Sequence, residues 1–380
     1  MRVASRFRPS SWFLVLVAAL TLAGCGGSAK IEPNALVDFT PSARASVAWR
    51  ASVGGSRHYL LKPAAADGVV YAASSSGDIV ALDETTGRQR WRVDADELLT
   101  GAVGAGEDLV LAGTRKGMVL AYGSDGAPRW RSQLTSEVLG APQVARGTVV
   151  ARTVDGRVFG LDAASGERKW EHQLLLPSLL LRGDATVELN ESLVLLGTPG
   201  GRVLALELAS GEPAWEAAVA QPKGDNEIER ITDVAAPPAV EGEQACAAAY
   251  QGRVACMDLR RGALAWARDA SSASRLGIDP ITVYVTSPDG VVNAFDRQTG
   301  ASLWTQDKLL NRSVSGPTAV GDFVIVGDFD GYVHVLDAEN GGFVARLSTD
   351  GSAIVAPALR AGPGVVVQTS GGGLYALSIE

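Results

Sequence analysis

The sequence of 380 residues is poor in the residue types that carry most metal, redox and nucleic-acid chemistry. Three cysteines and three histidines leave little material for a metal cluster. A formal net charge of −8 argues against a nucleic-acid-binding protein. Long apolar runs are scarce, which excludes a protein with several membrane-spanning helices. The 46% hydrophobic content is still enough for a sizeable core and excludes a largely disordered chain.

The N-terminus has the pattern of a bacterial lipoprotein signal. Three arginines among the first eight residues precede an apolar segment of 11 residues, Trp12–Leu22. This segment is too short to cross a bilayer core of about 30 Å as a helix, but it has the length of a signal-peptide h-region. It leads into LAGC, which resembles the lipobox whose cysteine is acylated. We therefore predict a lipoprotein signal peptide at residues 1–24 and lipidation of Cys25; an ordinary cleavage site with an incidental cysteine is the alternative.

The residues after the cysteine predict a membrane tether. Glycine rather than aspartate follows Cys25, which resembles lipoproteins delivered to the outer membrane. Several acyl chains on one residue anchor a protein stably, whereas a single chain is marginal. Residues 25–45 are otherwise rich in small residues, proline and polar groups. We expect them to form the lipidated cysteine and a flexible tether that reaches at most about 65–70 Å when extended.

Residues 46–380 follow one repeated pattern. Its clearest copy, Gly68–Trp91, contains an alternating apolar strand, a glycine turn, a second strand ending in ALD, a Thr-Gly turn and a tryptophan. A repeat of about 40–45 residues with several short strands is typical of a β-propeller blade. The glycine turn occurs eight times, at intervals of 38 to 51 residues: Gly77, Gly117, Gly156, Gly201, Gly252, Gly290, Gly331 and Gly372.

The tryptophans after the signal all occupy the same position in the repeat. A tryptophan that binds a ligand would occur in one copy, so we interpret these side chains as covers for the seams between blades. The seventh copy has Ala345 at this position, and we expect one seam to be packed differently. The seven tryptophans are Trp49, Trp91, Trp130, Trp170, Trp215, Trp266 and Trp304.

The two ends of the repeat region complement each other. Trp49 has no strands before it to complete a blade, and the last copy stops at Glu380 without its fourth strand. We therefore predict that residues 46–52 supply the outer strand of the last blade, which closes the ring and removes an open edge. The predicted fold is all-β: an eight-bladed β-propeller of four-stranded antiparallel blades over residues 46–380, closed by an N-terminal strand.

Two consecutive repeat intervals contain insertions. Residues 174–183 are rich in leucine and end in Arg-Gly, and residues 221–234 carry charges of both signs. Each insertion joins the last strand of one blade to the first strand of the next, so we expect the two to emerge side by side at one end of the ring. An apolar patch beside charged groups is typical of a protein-docking site. The alternative is that the leucines merely cover blade cores.

Cys246 and Cys256 lie nearly symmetrically on the two arms of one predicted hairpin. They remain as an even pair after lipidation of Cys25, and an oxidising compartment favours a disulfide. Two small buried thiols are the alternative, since cysteine packs well in a blade core.

The pattern A-L-D-x-x-T-G-x-x-x-W resembles the tryptophan-docking motif of PQQ-like propellers, a group that includes quinoprotein dehydrogenases. Those enzymes carry an adjacent cysteine pair, a metal cluster and a tryptophan that stacks on the quinone. Here no cysteines are adjacent, and His58, His172 and His334 are predicted in different blades. We therefore expect no catalytic residues, no metal and no cofactor. A quinoprotein-type enzyme and a generic envelope-binding propeller lipoprotein are the alternatives.

The lipobox, the short tether and the eight-bladed PQQ-like propeller together resemble the BamB family of outer-membrane β-barrel assembly lipoproteins. Residues 177–183 and 227–234 are similar to the two loops with which that family docks a periplasmic POTRA domain of BamA. The resemblance implies partner contacts by Leu179, Leu181, Arg182, Asp233 and Arg230. The family often has a second aspartate at the position of Ala235, so this chain departs from its pattern there.

What the resemblance implies is a scaffold rather than an enzyme. The propeller would be lipid-anchored at the periplasmic face of the outer membrane, bind BamA and other assembly-complex subunits, and aid the folding and insertion of outer-membrane proteins. A secondary expectation is that strands of nascent β-barrel proteins pair with exposed blade edges by β-augmentation.

Overall fold

The computed structural model describes residues 32–380, and within this range the chain forms 32 β-strands. Residues 1–31, with the predicted signal peptide and Cys25, lie outside the described residues. In the described part no helix is long and apolar enough to cross a membrane. The strands are β1 Ala45–Ser52, β2 Ala64–Ala66, β3 Val69–Ala73, β4 Asp78–Asp83, β5 Gln89–Asp94, β6 Leu99–Gly106, β7 Leu109–Thr114, β8 Met118–Gly123, β9 Pro128–Gln133, β10 Gln143–Ala145, β11 Thr148–Arg152, β12 Arg157–Asp162, β13 Arg168–Gln173, β14 Glu188–Asn190, β15 Leu193–Thr198, β16 Arg202–Glu207, β17 Pro213–Ala218, β18 Ala239–Glu241, β19 Gln244–Ala248, β20 Arg253–Asp258, β21 Leu264–Asp269, β22 Gly277–Ile278, β23 Thr282–Thr286, β24 Val292–Asp296, β25 Ser302–Gln306, β26 Thr318–Val320, β27 Phe323–Gly327, β28 Tyr332–Asp337, β29 Phe343–Ser348, β30 Leu359–Ala361, β31 Gly364–Gln368 and β32 Gly373–Ile379.

These strands form eight four-stranded antiparallel sheets, which are the blades. The first seven blades each take four consecutive strands, from β2–β5 in the first to β26–β29 in the seventh. The eighth blade has the order β1-β32-β31-β30, so the N-terminal strand pairs with the C-terminal one. In this pairing Ala45 lies opposite Ile379 and Trp49 opposite Ala376. The predicted fold, including its closure, is confirmed.

Burial explains why the second and third strands of a blade are so apolar. In the first blade β3 is buried along its whole length, whereas β5 alternates between exposed and half-buried positions. The middle strands are covered on both faces by the neighbouring blades, and the outer strand has one face toward solvent. The core is therefore divided into eight apolar clusters, each shared by two adjacent blades.

Each Thr-Gly-type turn joins the third and fourth strands of a blade. In the first blade, one carboxylate oxygen of Asp83 accepts hydrogen bonds from the backbone N–H and the hydroxyl of Thr86, at 3.0 and 2.8 Å. Gly87 follows with a φ of +67°, a region that favours glycine. The repeated aspartates are thus turn builders, in agreement with the repeat pattern.

The tryptophans fasten each blade to the next. The Trp49 ring lies on Gly87 so closely that a Cβ atom on this glycine would come within 2.6 Å of the ring. The indole N–H of Trp49 donates to the carbonyl of Glu84, in the same turn, at 2.8 Å. The other six tryptophans make the equivalent bond to the next blade at 2.7–2.9 Å. The interpretation of the tryptophans as seam covers is confirmed.

We call this contact of a tryptophan with the next blade's turn the latch. The seam between the seventh and eighth blades lacks it. The third and fourth strands of the eighth blade are the two ends of the ring, so no Thr-Gly turn joins them and a tryptophan at position 345 would have no turn to contact. Residues 34–44 lie along β29 instead, where the N–H groups of Ser42 and Ala43 point to the carbonyl of Val344 at 3.1 and 3.2 Å. This part of the predicted flexible tether is therefore held against the ring.

The connections of the blades lie at two ends of the ring. The loops between consecutive blades and the hairpins between second and third strands share one end, which we call the loop face. The Thr-Gly turns lie at the other end, the turn face. Both faces follow from the antiparallel order within every blade.

Cys246 and Cys256 lie directly opposite each other in β19 and β20 of the fifth blade. Both side chains are fully buried, and the structure joins them by a disulfide. This pair lies inside the blade and not on either face.

Candidate partner-docking surface

The two insertions meet at the loop face. Residues 174–187 connect the third blade to the fourth, and residues 219–238 connect the fourth to the fifth. The backbone N–H of Leu181 donates to the Asp233 carboxylate at 2.8 Å. A Cβ atom on Gly183 would clash with the backbone of Ala235, so the close approach of the two loops requires glycine here. The prediction that the insertions emerge side by side is confirmed, and together they form what we call the docking surface.

Asp233 is an internal support of this surface. Only 5% of the residue is exposed. One carboxylate oxygen accepts the N–H of Leu181, and the other accepts the N–H of Gly200 at 3.1 Å. A buried carboxylate is stable only when such donors satisfy it. Asp233 therefore fixes the first loop from beneath, and a direct partner contact by its side chain stays a prediction.

A half-buried cation compensates the charge of Asp233. Arg152, on β11, donates to the carbonyl of Gly197 at 2.8 Å. Burial lowers the pKa of the Arg152 guanidinium to about 10, and the nearby Asp233 carboxylate acts in the opposite direction. The side chain therefore stays positively charged at neutral pH, which stabilises the carboxylate beneath the loops.

The docking surface has an exposed apolar part. Leu175, Leu179 and Ile228 are 94%, 46% and 67% exposed, and Leu180 is exposed beside them. Leu181 is half-buried and lines a groove of about 230 Å³ between the loops. Clustered exposed leucines of this kind are typical of interaction sites, because they contribute little to the core of their own fold.

The alternative interpretation of the leucine run holds for its first part. Leu174 is buried, and Leu176 packs beside it in the cluster between the third and fourth blades. The run therefore contains core residues and surface residues side by side.

Arg182 supplies a charged group beside these leucines. Its side chain is 59% exposed, and its Nη2 atom lies 3.1 and 3.2 Å from the two carboxylate oxygens of Glu137. Glu137 belongs to the connection between the second and third blades. Arg230, on the second loop, is also exposed, and its backbone N–H donates to the carbonyl of Asn226 at 3.2 Å. The Arg182 head group is thus oriented while much of it faces solvent.

An ion pair holds the first loop from across the ring. Asp184 lies in this loop, and its carboxylate is 2.7 Å from the ammonium of Lys62, which precedes the inner strand of the first blade. Burial acts to raise the pKa of Asp184, but the charge and hydrogen bond of Lys62 and the bonds from Thr186 outweigh it and lower the pKa. A second pair, Arg275 with Glu188 at 2.7 Å, links the sixth blade to the fourth.

Several residues of this site were not predicted from the sequence. Leu180 and Ile228 lie within the two insertions, so their exposure could have been suspected from the same apolar run and charged segment. Glu137, Lys62 and Arg152 carry no such signal, because their partners are 45 to 122 residues away in the chain.

The histidines are not brought together by the fold. His58 precedes the first blade, His172 lies on β13 and His334 on β28. Within residues 32–380 no group of three or more His, Cys, Asp and Glu side chains could hold a metal ion.

Similarity to known proteins agrees with the whole architecture. The family model described as "Outer membrane protein assembly factor BamB" matches residues 40–102, 75–306 and 288–380. The protein of that name from Bordetella pertussis is 38% identical over 366 residues, which cover 95% of each chain. The crystal structure of BamB from Moraxella catarrhalis superimposes with a TM-score of 0.81 at 29% identity, covering 88% of this chain and 100% of that one.

A quinohemoprotein alcohol dehydrogenase from Comamonas testosteroni also superimposes, with a TM-score of 0.70 over 88% of this chain and 76% of that one. Its identity is 16%, so this likeness extends to the fold alone. The family match instead covers the ring from residue 40 to residue 380, including both insertions. The chain therefore belongs to the BamB family of outer membrane protein assembly factors.

Proposed function

We propose that the chain is a non-catalytic scaffold that binds a periplasmic POTRA domain of BamA through the docking surface. The observation that carries this proposal is the group of exposed leucines around Leu179 beside the half-exposed Arg182. An apolar centre with an arginine near it is the composition found at the energetic centres of protein interfaces. The function is mechanical: the ring orients the partner's domains during outer-membrane protein assembly.

The supports beneath the surface favour binding. Asp233 and Lys62 hold the first loop by hydrogen bonds and an ion pair before any partner arrives. A preformed loop loses less conformational freedom on binding than a mobile one, so more of the contact energy contributes to affinity. The Glu137 carboxylate keeps Arg182 in place, and an acidic group of the partner can share this cation.

The proposal includes a lipid anchor at Cys25 on the periplasmic face of the outer membrane. The LAGC sequence and the tether support it, and membership of an outer-membrane assembly family agrees with it. Several acyl chains on one residue give the stable anchoring that a scaffold at a membrane complex needs.

The non-catalytic part of the proposal has its own support. All seven tryptophans after the signal contact neighbouring blades, so none is free to stack on a quinone. The cysteines of the fifth blade are ten residues apart and face each other across a ladder. A purified protein with quinone absorbance and dye-reducing activity would contradict this part.

Pairing of nascent β-barrel strands with blade edges stays a secondary prediction. The outer strands carry charged residues, such as Arg90 and Arg92 on β5. Charges on edge strands act against pairing with another chain.

The central test is binding of the mature chain to the periplasmic region of BamA, measured by calorimetry or pull-down. We expect the double variant Leu179→Ala, Arg182→Glu to bind at least about tenfold more weakly, because truncation of central apolar and arginine contacts costs more than 1 kcal/mol each. Undiminished binding would overturn the proposed site.

A matched control is available toward the turn face, away from the docking surface. Leu303 is exposed to a similar degree as Leu179, and Arg260 pairs with Glu243 much as Arg182 pairs with Glu137. The double variant Leu303→Ala, Arg260→Glu should therefore bind like the wild type.

A further inference from the structure

The seventh blade contains a buried polar cluster. Asp328 and His334 are fully buried, and Arg312 is nearly so. One carboxylate oxygen of Asp328 lies 2.8 Å from the Arg312 Nε atom and 3.0 Å from the His334 Nε2 atom. Arg346 donates from its Nε atom to His334 Nδ1 at 3.2 Å, so His334 carries its proton on Nε2 and donates it to Asp328.

Both arginines of this cluster bind the segment that precedes the ring. Arg312 donates to the carbonyl of Asn34, and Arg346 donates to the carbonyl of Val37, each at 3.0 Å. Charged donors make stronger hydrogen bonds than neutral ones. These two bonds join residues 278 and 309 positions apart, so they tie the start of the described chain to its far end.

An aromatic side chain reinforces this attachment. The Phe39 ring stacks on the Phe343 ring at 5.6 Å between centroids. The Arg346 guanidinium lies 5.0 Å from the Phe39 centroid and 5.4 Å from that of Phe343. Ring stacking and a cation over both rings each favour the docked position of Phe39.

Backbone bonds hold both ends of the segment. The N–H of Asn34 donates to the carbonyl of Leu310 at 2.9 Å, and Arg44 and Glu380 exchange two backbone bonds at 2.9 Å. Residues 34–44 are thus attached at their first and last positions and at several between. We call this segment the strap.

The strap changes the face from which the chain leaves the ring. β1 begins at Ala45, opposite Ile379, on the turn face. Leu310 and Arg312 belong to the connection between the sixth and seventh blades, so Asn34 lies at the loop face. The strap therefore carries the chain along β29 from one face to the other.

We propose that the seventh blade is a clamp for the tether, which brings the lipidated N-terminus out on the same face as the docking surface. This inference rests on the proposed lipidation of Cys25. The nine residues 25–33 can span at most about 30 Å, compared with about 65–70 Å for a tether free up to the ring. The clamp thus sets both the face that the ring turns toward the membrane and its greatest distance from it.

The first test is hydrogen exchange of the soluble mature chain. Amides of residues 34–44 should be protected in the wild type, and Phe39→Ala should speed their exchange about tenfold or more while the blades stay protected. Phe39→Tyr keeps the ring and should retain the protection. Free exchange of the strap in the wild type would overturn the clamp. Arg346→Met, which removes a bond from the blade side, should reproduce the effect of Phe39→Ala.

The second test places the full lipidated chain on vesicles of phosphatidylethanolamine and phosphatidylglycerol with a headgroup dye. Ser76→Cys and Thr85→Cys label exposed positions on the loop face and turn face of the same blade. Energy transfer to the membrane should be greater from position 76 than from position 85, and Phe39→Ala should reduce this difference. Equal transfer from both labels in the wild type would overturn the clamp. Failure of the chain to associate with vesicles would instead contradict lipidation, since strap protection is measured without a membrane.

Discussion

The seventh blade is joined to the next blade by different contacts from those that join the other blades. Seven seams are closed by a tryptophan whose ring rests on a glycine turn and whose N–H meets a carbonyl of that turn. The eighth seam has Ala345 and no turn, and its outer side is covered by the strap. The apolar latch is a local pattern repeated along the chain. The strap is instead held by two charged side chains, Arg312 and Arg346, from the far end of the chain, so the seventh blade carries a contact that the repeat does not supply.

The comparison predicts that loss of Asp328 has the largest effect on stability. Asp328→Ala leaves Arg312 without its buried partner and His334 without its acceptor, and breaking a buried pair costs about 3–5 kcal/mol. Denaturant unfolding measures this loss. Asp330→Ala is the control, because Asp330 also binds Arg312 but is half exposed, and exposed pairs contribute about 0–1 kcal/mol. Equal losses for the two variants would mean that the buried cluster is no more important than a surface pair.

Removal of a tryptophan latch should lower the free energy of unfolding somewhat less than removal of Asp328. Trp215 is buried, with its N–H bonded to the carbonyl of Leu259, and Trp215→Ala should lower the free energy of unfolding by about 3 kcal/mol. Trp91 occupies the same repeat position but is only partly buried. Trp91→Ala should therefore cost less, as measured by the same denaturant unfolding. Strap protection should survive both variants, since neither tryptophan touches the seventh blade.

The difference between the two solutions also explains what could be predicted from the sequence. The latch depends on residues at a fixed spacing, so the glycine turns, the tryptophans and the closing strand could all be located from the repeat. The strap could not, because residues 34–44 have the composition of a linker and are held by Arg312 and Arg346 from the far end of the chain. A linker-like composition predicts a flexible segment only where no surface of the same fold binds that segment.

The docking surface, too, could be predicted from the sequence only in part. Its two loops were found because they interrupt the repeat, and the exposed leucines lie within them. The burial of Asp233 was not predictable, since it depends on the approach of Leu181 from 52 residues away. The ion pair of Lys62 and Asp184 joins the start of the first blade to the loop before the fourth, and the two residues are 122 positions apart in the chain. The position of a residue in a repeat can be predicted from the sequence, whereas its contacts across the ring cannot.

The smallest predicted effect is a pH dependence of stability, which we expect at the seventh blade and the strap and not at the tryptophan seams. Burial, with the positive charges of Arg346 and Arg312, lowers the pKa of His334, while Asp328 acts to raise it. A histidine whose pKa is lower in the folded state than in the unfolded one disfavours folding when protonated, so stability is greatest above about pH 6.5 and falls as the pH drops. Between pH 7 and 5.5 the free energy of unfolding should therefore fall, and denaturant unfolding at the two pH values measures this loss.

Hydrogen exchange at these two pH values, corrected for intrinsic exchange rates, tests which part of the molecule loses stability. The strap should open more at pH 5.5, because His334 takes up a proton more readily in the opened state, where Arg346 no longer donates to its Nδ1. The tryptophan seams should change little, since their bonds run from an indole N–H to a backbone carbonyl and neither group titrates. His334→Gln should abolish the pH dependence of the strap, and His172→Gln on β13 should leave it intact. Strap opening that is unchanged between the two pH values in the wild type would contradict the role assigned to His334 and leave charge–carbonyl bonding alone as the basis of the clamp.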